Sequence, residues 1–107
     1  MAANEQFRTL SRSLLESVED LKYLVLERDR EVVVRRQRRK LLSKVGEINN
    51  LPTRDAKNER RIKRAFEQVR GALTCISQSK FQAARGRLER AAANLEAVAD
   101  DEDNTSG

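Results

Sequence analysis

The chain has 107 residues, of which 36% are charged and 38% hydrophobic, and its formal net charge is +5. This length suits one small domain, and four glycines with one proline are too few for the tight turns of an all-β or α/β fold. The chain has no histidine and one cysteine, which removes the commonest general base, a zinc site and an internal disulfide. We therefore expect no enzyme, no metal, no cofactor and no small-molecule substrate.

The first predicted element is a long helix over residues 4–48, with Asn4 as a plausible N-cap. An apolar stripe over residues 7–25 repeats at spacings of three and four. A second stripe, over residues 34–48, falls on nearly the opposite side of the same cylinder. Either the helix kinks or ends near residues 29–34, where consecutive valines lower helix propensity, or one long helix packs two partners. Both alternatives remain open at this point.

The clear break in the chain is at residues 49–52, where two asparagines precede a leucine and a proline. Helix two is predicted over residues 54–77, capped by Thr53 or Asp55. Its apolar spacings of four and three match a coiled-coil seam made of Ile62, Phe66, Val69, Leu73 and Ile76. Cys75 falls away from this seam, which leaves either a surface thiol or a helix contact open.

Helix three is predicted over residues 79–99, opened by a capping box of Ser79 and Gln82. Its seam consists of Phe81, Ala84, Leu88, Ala91, Leu95 and Val98. Because the connection is short, helices two and three should form an antiparallel hairpin, and the alanines permit close approach. Residues 100–107 have too little apolar content to order and are expected to be a flexible acidic tail. The predicted fold is all-α, with three to four helices in a single domain over residues 1–99.

Positive charge is concentrated in the middle of the chain, in two clusters. The first cluster is Arg35, Arg36, Arg38, Arg39 and Lys40, and the second is Lys57, Arg60, Arg61, Lys63 and Arg64. On a helical wheel each cluster points largely away from the apolar stripe of its own helix, with Lys63 at the edge. The planar guanidinium group fits phosphate oxygens, so these ten residues are the candidate binding residues for a polyanion.

If the chain folds back at residues 49–52, the two clusters can lie side by side and follow the phosphates of a duplex. One tyrosine and three phenylalanines, none interleaved with the arginines, offer little stacking on bases. The sequence therefore predicts largely sequence-independent binding of nucleic acid, with duplex RNA or DNA favoured.

The main alternative is a small helical interaction module, an adaptor or chaperone subunit that assembles by coiled-coil-like packing. Amphipathic helices in so short a chain suit an acidic or helical protein partner, and we expect a homodimer through helix one and the hairpin. A charge run can also be simply the solvated face of a helix. Residues 1–20 lack the apolar core of a signal peptide and no segment could span a bilayer, so a cytoplasmic or nuclear location is expected.

Overall fold

The computed structural model describes the backbone of residues 2–23, 30–51 and 55–106, and side-chain environments within 5–22, 31–51 and 55–101. Across these ranges the chain forms four helices and no strand, which confirms the all-α prediction. The helices are α1 Ala2–Tyr23, α2 Arg30–Asn49, α3 Ala56–Ser77 and α4 Phe81–Ser106. Within the same ranges, no helix has the length and apolar character needed to cross a bilayer.

The four helices form an elongated bundle of 50 × 19 × 18 Å, in which sequence neighbours run antiparallel. α1 and α3 both pack along α4, α2 packs on α3, and α1 and α2 touch each other least. The predicted long helix over residues 4–48 is thus two helices, and residues 24–29 between them lie outside the described residues. Folding back is what allows two stripes on opposite sides of one cylinder to face a common core.

The core draws on all four helices, and on α1 and α4 its residues include those of the predicted stripes. On α1 the buried positions are Phe7, Leu10, Leu14, Val18 and Leu21, whereas Val25 lies outside the described residues. On α4 all six predicted seam residues are buried, together with Ala92 and Ala99. The α3–α4 hairpin is antiparallel as predicted, since the Asn58 side chain at the start of α3 reaches Asp101 near the end of α4.

The buried face of α3 is rotated relative to the predicted seam. Phe66 and Leu73 are only partly buried, and the inner positions are Asn58, Ile62, Ala65, Val69, Ala72, Cys75 and Ile76. Alanines on both helices let α3 and α4 approach closely, and this approach turns α3 toward α4 and away from the predicted face. Of the two possibilities for Cys75, the structure has the helix contact, because its thiol is buried.

Of the two predicted caps of α3 the structure has Asp55, while Thr53 lies outside the described residues, and the predicted cap of α4 is wrong. Asp55 is extended, with φ −107°, and its side chain accepts a hydrogen bond from the Lys57 N–H at 3.0 Å. The capping box at Ser79 is wrong, because this residue has φ 60° and α4 begins at Phe81. Ser79 instead occupies the left-handed position that ends α3.

The connection between α3 and α4 is a Schellman motif. The Lys80 N–H donates to the Cys75 carbonyl at 2.8 Å, and the Ser79 N–H donates to the Ile76 carbonyl at 3.0 Å. Both bonds satisfy carbonyls that the end of a helix would leave without partners. The stronger local requirement is therefore to end α3, and Ser79 cannot also adopt the extended conformation of an N-cap.

α4 continues beyond residue 99, where the sequence predicts the acidic tail to begin. The Asp100 carboxylate accepts a hydrogen bond from Arg8 at 2.9 Å, and the Asp101 carboxylate accepts one from Asn58 at 3.0 Å. These partners on α1 and α3 give the two aspartates a fixed place at one end of the bundle. The side chains of residues 102–106 and all of Gly107 lie outside the described residues.

Candidate nucleic-acid interface

The open seam between α1 and α2 forms a groove with a volume of about 720 Å³, here called the α1–α2 groove. Its α1 wall is formed by Ser13, Glu16, Ser17 and Asp20. Its α2 wall carries five cationic side chains, Arg35, Arg36, Arg39, Lys40 and Lys44, together with Val32 and Ser43. Counted over the described residues, five cations against two carboxylates make the groove electropositive.

Small residues on α1 keep this seam open. Ser13 and Ser17 are one helical turn apart on the flank that faces α2, and neither fills the space between the helices. The Ser17 hydroxyl donates to the Ser13 carbonyl at 3.3 Å, so it is satisfied within its own helix. Without a large apolar side chain here, α1 has little with which to hold α2 closely.

Three of the five cations in the groove have no carboxylate partner among the described residues. Among the described residues, no carboxylate forms an ion pair with Arg35, Arg36 or Arg39. The two lysines differ, since Lys40 Nζ lies 3.9 Å from Asp20 Oδ2 and Lys44 Nζ lies 3.2 Å from a Glu47 oxygen. The three guanidinium groups are thus the part of the α2 wall that is available to bind an anion.

Between the described parts of α1 and α2, Asp20 is the residue of the α1 wall that makes polar contacts with α2. Its Oδ2 accepts a hydrogen bond from Gln37 Nε2 at 3.1 Å and lies near Lys40. Gln37 is only 3% exposed, and its Oε1 is buried with no hydrogen-bond partner among the described residues. A buried amide that is half satisfied costs stability. This seam is therefore less well optimised for stability than a fully satisfied helix contact.

The structure divides the first predicted cluster between two sides of α2. Arg35, Arg36, Arg39 and Lys40 line the α1–α2 groove, as predicted for neighbours on one surface. Arg38 is not among the lining residues, and its position on the helical wheel is on the side of α2 that faces α3.

The second predicted cluster lies elsewhere on the bundle. Lys63 lines a different groove, of about 800 Å³, between α2 and α3, here called the α2–α3 groove. Arg61 is partly buried and donates to Asn58 Oδ1 at 3.1 Å. The other three members of the cluster are exposed, namely Lys57, Arg60 and Arg64.

The two clusters are offset along the bundle. The α2–α3 groove brings Ile48 level with Glu59 and Lys63, so the second cluster lies beside the end of α2. Residues 35–40 precede Ile48 by eight to thirteen positions, which is about 12–20 Å at 1.5 Å per residue. The side-by-side arrangement considered from the sequence is therefore not the one in the structure.

The sequence-based candidates omitted the α1 wall of the groove. Glu16 and Asp20 are ordinary surface acids by pattern, and only folding brings them opposite the arginines. The pair of serines at positions 13 and 17 is the signal that could have indicated an open flank on α1. Comparison with protein-family models, with curated proteins and with solved structures found no match to this chain.

Proposed function

We propose that the protein binds the phosphate backbone of nucleic acid at the α1–α2 groove, with a duplex as the favoured form. The observation that carries this proposal is the set of three guanidinium groups, Arg35, Arg36 and Arg39, in one groove without a carboxylate partner among the described residues. Clustered cations that are not neutralised cost stability by mutual repulsion, and a bound polyanion relieves that repulsion.

Phosphate is the anion that best suits these side chains. A guanidinium group offers paired N–H donors in a plane, which match two oxygens of one phosphate. The groove walls exclude part of the solvent, which strengthens the attraction relative to a flat surface. None of the described residues that line the groove is aromatic, so base stacking would contribute little and recognition would be largely independent of sequence.

The second cluster extends the proposed contact surface along the bundle axis. Its offset of about 12–20 Å corresponds to roughly four to six phosphate steps of one strand at 3.4 Å each. Lys57, Arg60 and Arg64 are exposed cations at that distance and would add weaker contacts, whereas Lys63 lines the α2–α3 groove beside Glu59 and Glu67. Arg61 is held by Asn58 and is expected to contribute least of this cluster.

The proposal is one of binding rather than catalysis. It requires no cofactor and no metal, and it treats the protein as a cytoplasmic or nuclear one, where nucleic acids are present. The described groove residues are arginines, lysines, serines, one valine and two acids, with no histidine or cysteine among them to act as a base or nucleophile.

The direct test is fluorescence anisotropy with duplex RNA, duplex DNA and the matching single strands across a range of salt concentrations. Replacing Arg35, Arg36 and Arg39 together by Ala should weaken duplex binding by more than about tenfold, since each charged hydrogen bond contributes about 1.5–3 kcal/mol. The slope of log affinity against log salt should flatten by about three, one unit for each lost phosphate contact.

The matched control removes the same charge from other faces of the bundle. Arg12, Lys80 and Arg90 are exposed, and replacing all three by Ala also lowers the net charge by three. This control should keep most of the affinity. Equal losses of duplex affinity in the two triple variants would mean that binding depends on net charge and not on the groove. No binding by the wild type at low salt would refute the proposal.

The alternative, a helical interaction module, is supported by a different surface. The partly buried Phe66 and the charges around it on α3 are separate from the α1–α2 groove. A protein that binds through this surface alone would lose its partner when α3 is changed and would be indifferent to the three arginines of α2. The two functions are compatible on one chain, because they use different faces.

A further inference from the structure

One stripe of α3 faces outward beside the α2–α3 groove. Glu59, Lys63, Phe66 and Arg70 recur at spacings of four, three and four, and all four line that groove. These spacings place them in one row along the helix, as in a coiled-coil seam. Ile48, Leu51 and Ile62 form the apolar part of the groove beneath this row.

The charges along this stripe alternate, and within the described part of the chain they form no ion pairs. Glu59, Lys63, Glu67 and Arg70 are all exposed, and their spacings of three and four would permit ion pairs along the helix. Among the described residues, none of the four forms an ion pair. The Arg70 guanidinium instead lies 5.8 Å from the centre of the Phe66 ring.

Apolar surface accompanies these charges. Phe66 is only partly buried, although its spacing fits the seam of the helix. Across the groove, Leu42 on α2 is 57% exposed. Leu42 lies on the same face of α2 as the groove residue Asn49, because seven residues are nearly two full helical turns. The face therefore combines apolar side chains in the middle with charges around them, which is the pattern of a protein interface.

We infer that this face binds a second copy of the chain, with α3 packed antiparallel against the α3 helix of the partner subunit. A two-fold axis passing between residues 64 and 65 places Glu59 opposite the partner's Arg70, and Lys63 opposite the partner's Phe66. The partner's Glu67 then lies beside Lys63. Each pair occurs twice because the interface is isologous, so four opposite-charge contacts surround two phenylalanines.

The order of the charges along α3 favours a second copy of this helix as the partner, and it favours the antiparallel orientation. When a second α3 helix runs antiparallel to the first, acidic and basic residues of the two stripes lie opposite each other. A parallel copy would bring Glu59 against Glu59 and Arg70 against Arg70, which is unfavourable. A nucleic-acid strand is disfavoured here, since Glu59 and Glu67 would repel its phosphates. The inference is independent of the proposed function of the α1–α2 groove.

The test is the dimer dissociation constant, measured by sedimentation equilibrium on the full chain, whose single-copy mass is 12.2 kDa. The wild type should sediment at twice that mass. Glu59→Arg and Arg70→Glu should each weaken the dimer by about tenfold or more, because each creates two like-charge contacts. The double variant restores opposite charges in exchanged positions and should return the constant to within about threefold of the wild type.

Fold integrity and surface specificity are controlled separately. Both altered residues are exposed, so circular dichroism should show unchanged helicity in every variant. Glu89→Arg and Arg90→Glu reverse neighbouring exposed charges on α4 and should leave the dimer intact. A monomeric wild type at about 100 μM, single reversals without effect, or a double variant that fails to regain the dimer would each overturn the inference.

Discussion

The two flanks of α1 are built in opposite ways. Toward α4, the Ser11 hydroxyl donates to the Ala92 carbonyl at 2.9 Å, and alanines allow the two backbones to approach. Toward α2, Ser13 and Ser17 leave an open groove edged by charges. The same helix thus contributes a closed apolar seam on one side and an open polar wall on the other.

This difference separates stability from recognition. The α1–α4 seam contributes buried apolar area and the Arg8 contacts to Glu96 and Asp100, which join α1 to α4 at one end of the bundle. The α1–α2 seam contains a buried Gln37 oxygen without a partner among the described residues, and arginines that no described acid neutralises. Changes on the α4 side should therefore alter the free energy of unfolding, whereas changes on the α2 side should alter binding.

The largest expected effect comes from the closed side. Leu95 on α4 is 0% exposed, and Leu95→Ala should lower the free energy of unfolding by about 2–5 kcal/mol through lost burial and a cavity. Leu15→Ala is the control, since Leu15 is 45% exposed and its loss should cost less than about 0.5 kcal/mol. Denaturant unfolding measures both, and similar losses would contradict the assignment of the core.

Overpacking tests how closely α1 and α4 approach. Ala92 is 2% exposed, and Ala92→Leu should destabilise the bundle by about 1–3 kcal/mol because the larger side chain has no space. Ala93→Leu, at the exposed neighbouring position, should be nearly neutral. Thermal unfolding of the pair decides the matter, and a gain in stability from Ala92→Leu would mean that this seam is not closed.

The serines on the two flanks give a matched comparison on one helix. Ser11→Ala removes a buried hydrogen bond between helices and should cost about 1 kcal/mol of unfolding free energy. Ser13→Ala lies on the groove wall and should change that free energy by less than about 0.5 kcal/mol. Equal costs in urea unfolding would remove the distinction between the two flanks.

The smallest effect concerns the turn that joins α3 to α4 in the closed half. Ser79→Gly should raise the free energy of unfolding by about 0.5 kcal/mol, because glycine adopts the left-handed conformation without steric cost. Part of that gain is offset by the greater freedom of glycine in the unfolded chain. Ser77→Gly, inside the last turn of α3, should instead destabilise the protein, and a loss from Ser79→Gly would contradict the observed φ of 60°.

The sequence predicts the positions of helices where the spacing of apolar residues and the helix-ending residues indicate the same boundaries. The seam of α4 follows a regular spacing that predicts all six of its residues, and Asp55 is one of the two caps that the sequence predicts for α3. Ser79 could not be assigned correctly, because the same residue fits an N-cap by pattern and a left-handed C-cap by geometry. The rotation of α3 depends on how closely α4 approaches, which is a tertiary effect that the spacing within α3 does not encode.

The candidate site was predictable only in part. The high density of basic residues identifies Arg35, Arg36, Arg39 and Lys40 as candidates from the sequence alone. It does not show on which side of α2 each side chain lies. The α1 wall depends on contacts between residues that are far apart in sequence, such as Gln37 with Asp20. The axial offset of residues 57–64 follows from the antiparallel register of α2 and α3, which the wheel of a single helix cannot supply.

The most direct test of the phosphate-binding proposal is an amide chemical-shift map of the chain during titration with a short RNA duplex. The proposal predicts the largest shifts on the facing residues of α1 and α2, within 13–20 and 32–44, with smaller shifts over 57–64. Shifts confined to α4 or to the outer face of α1, or no shifts at low salt, would contradict it.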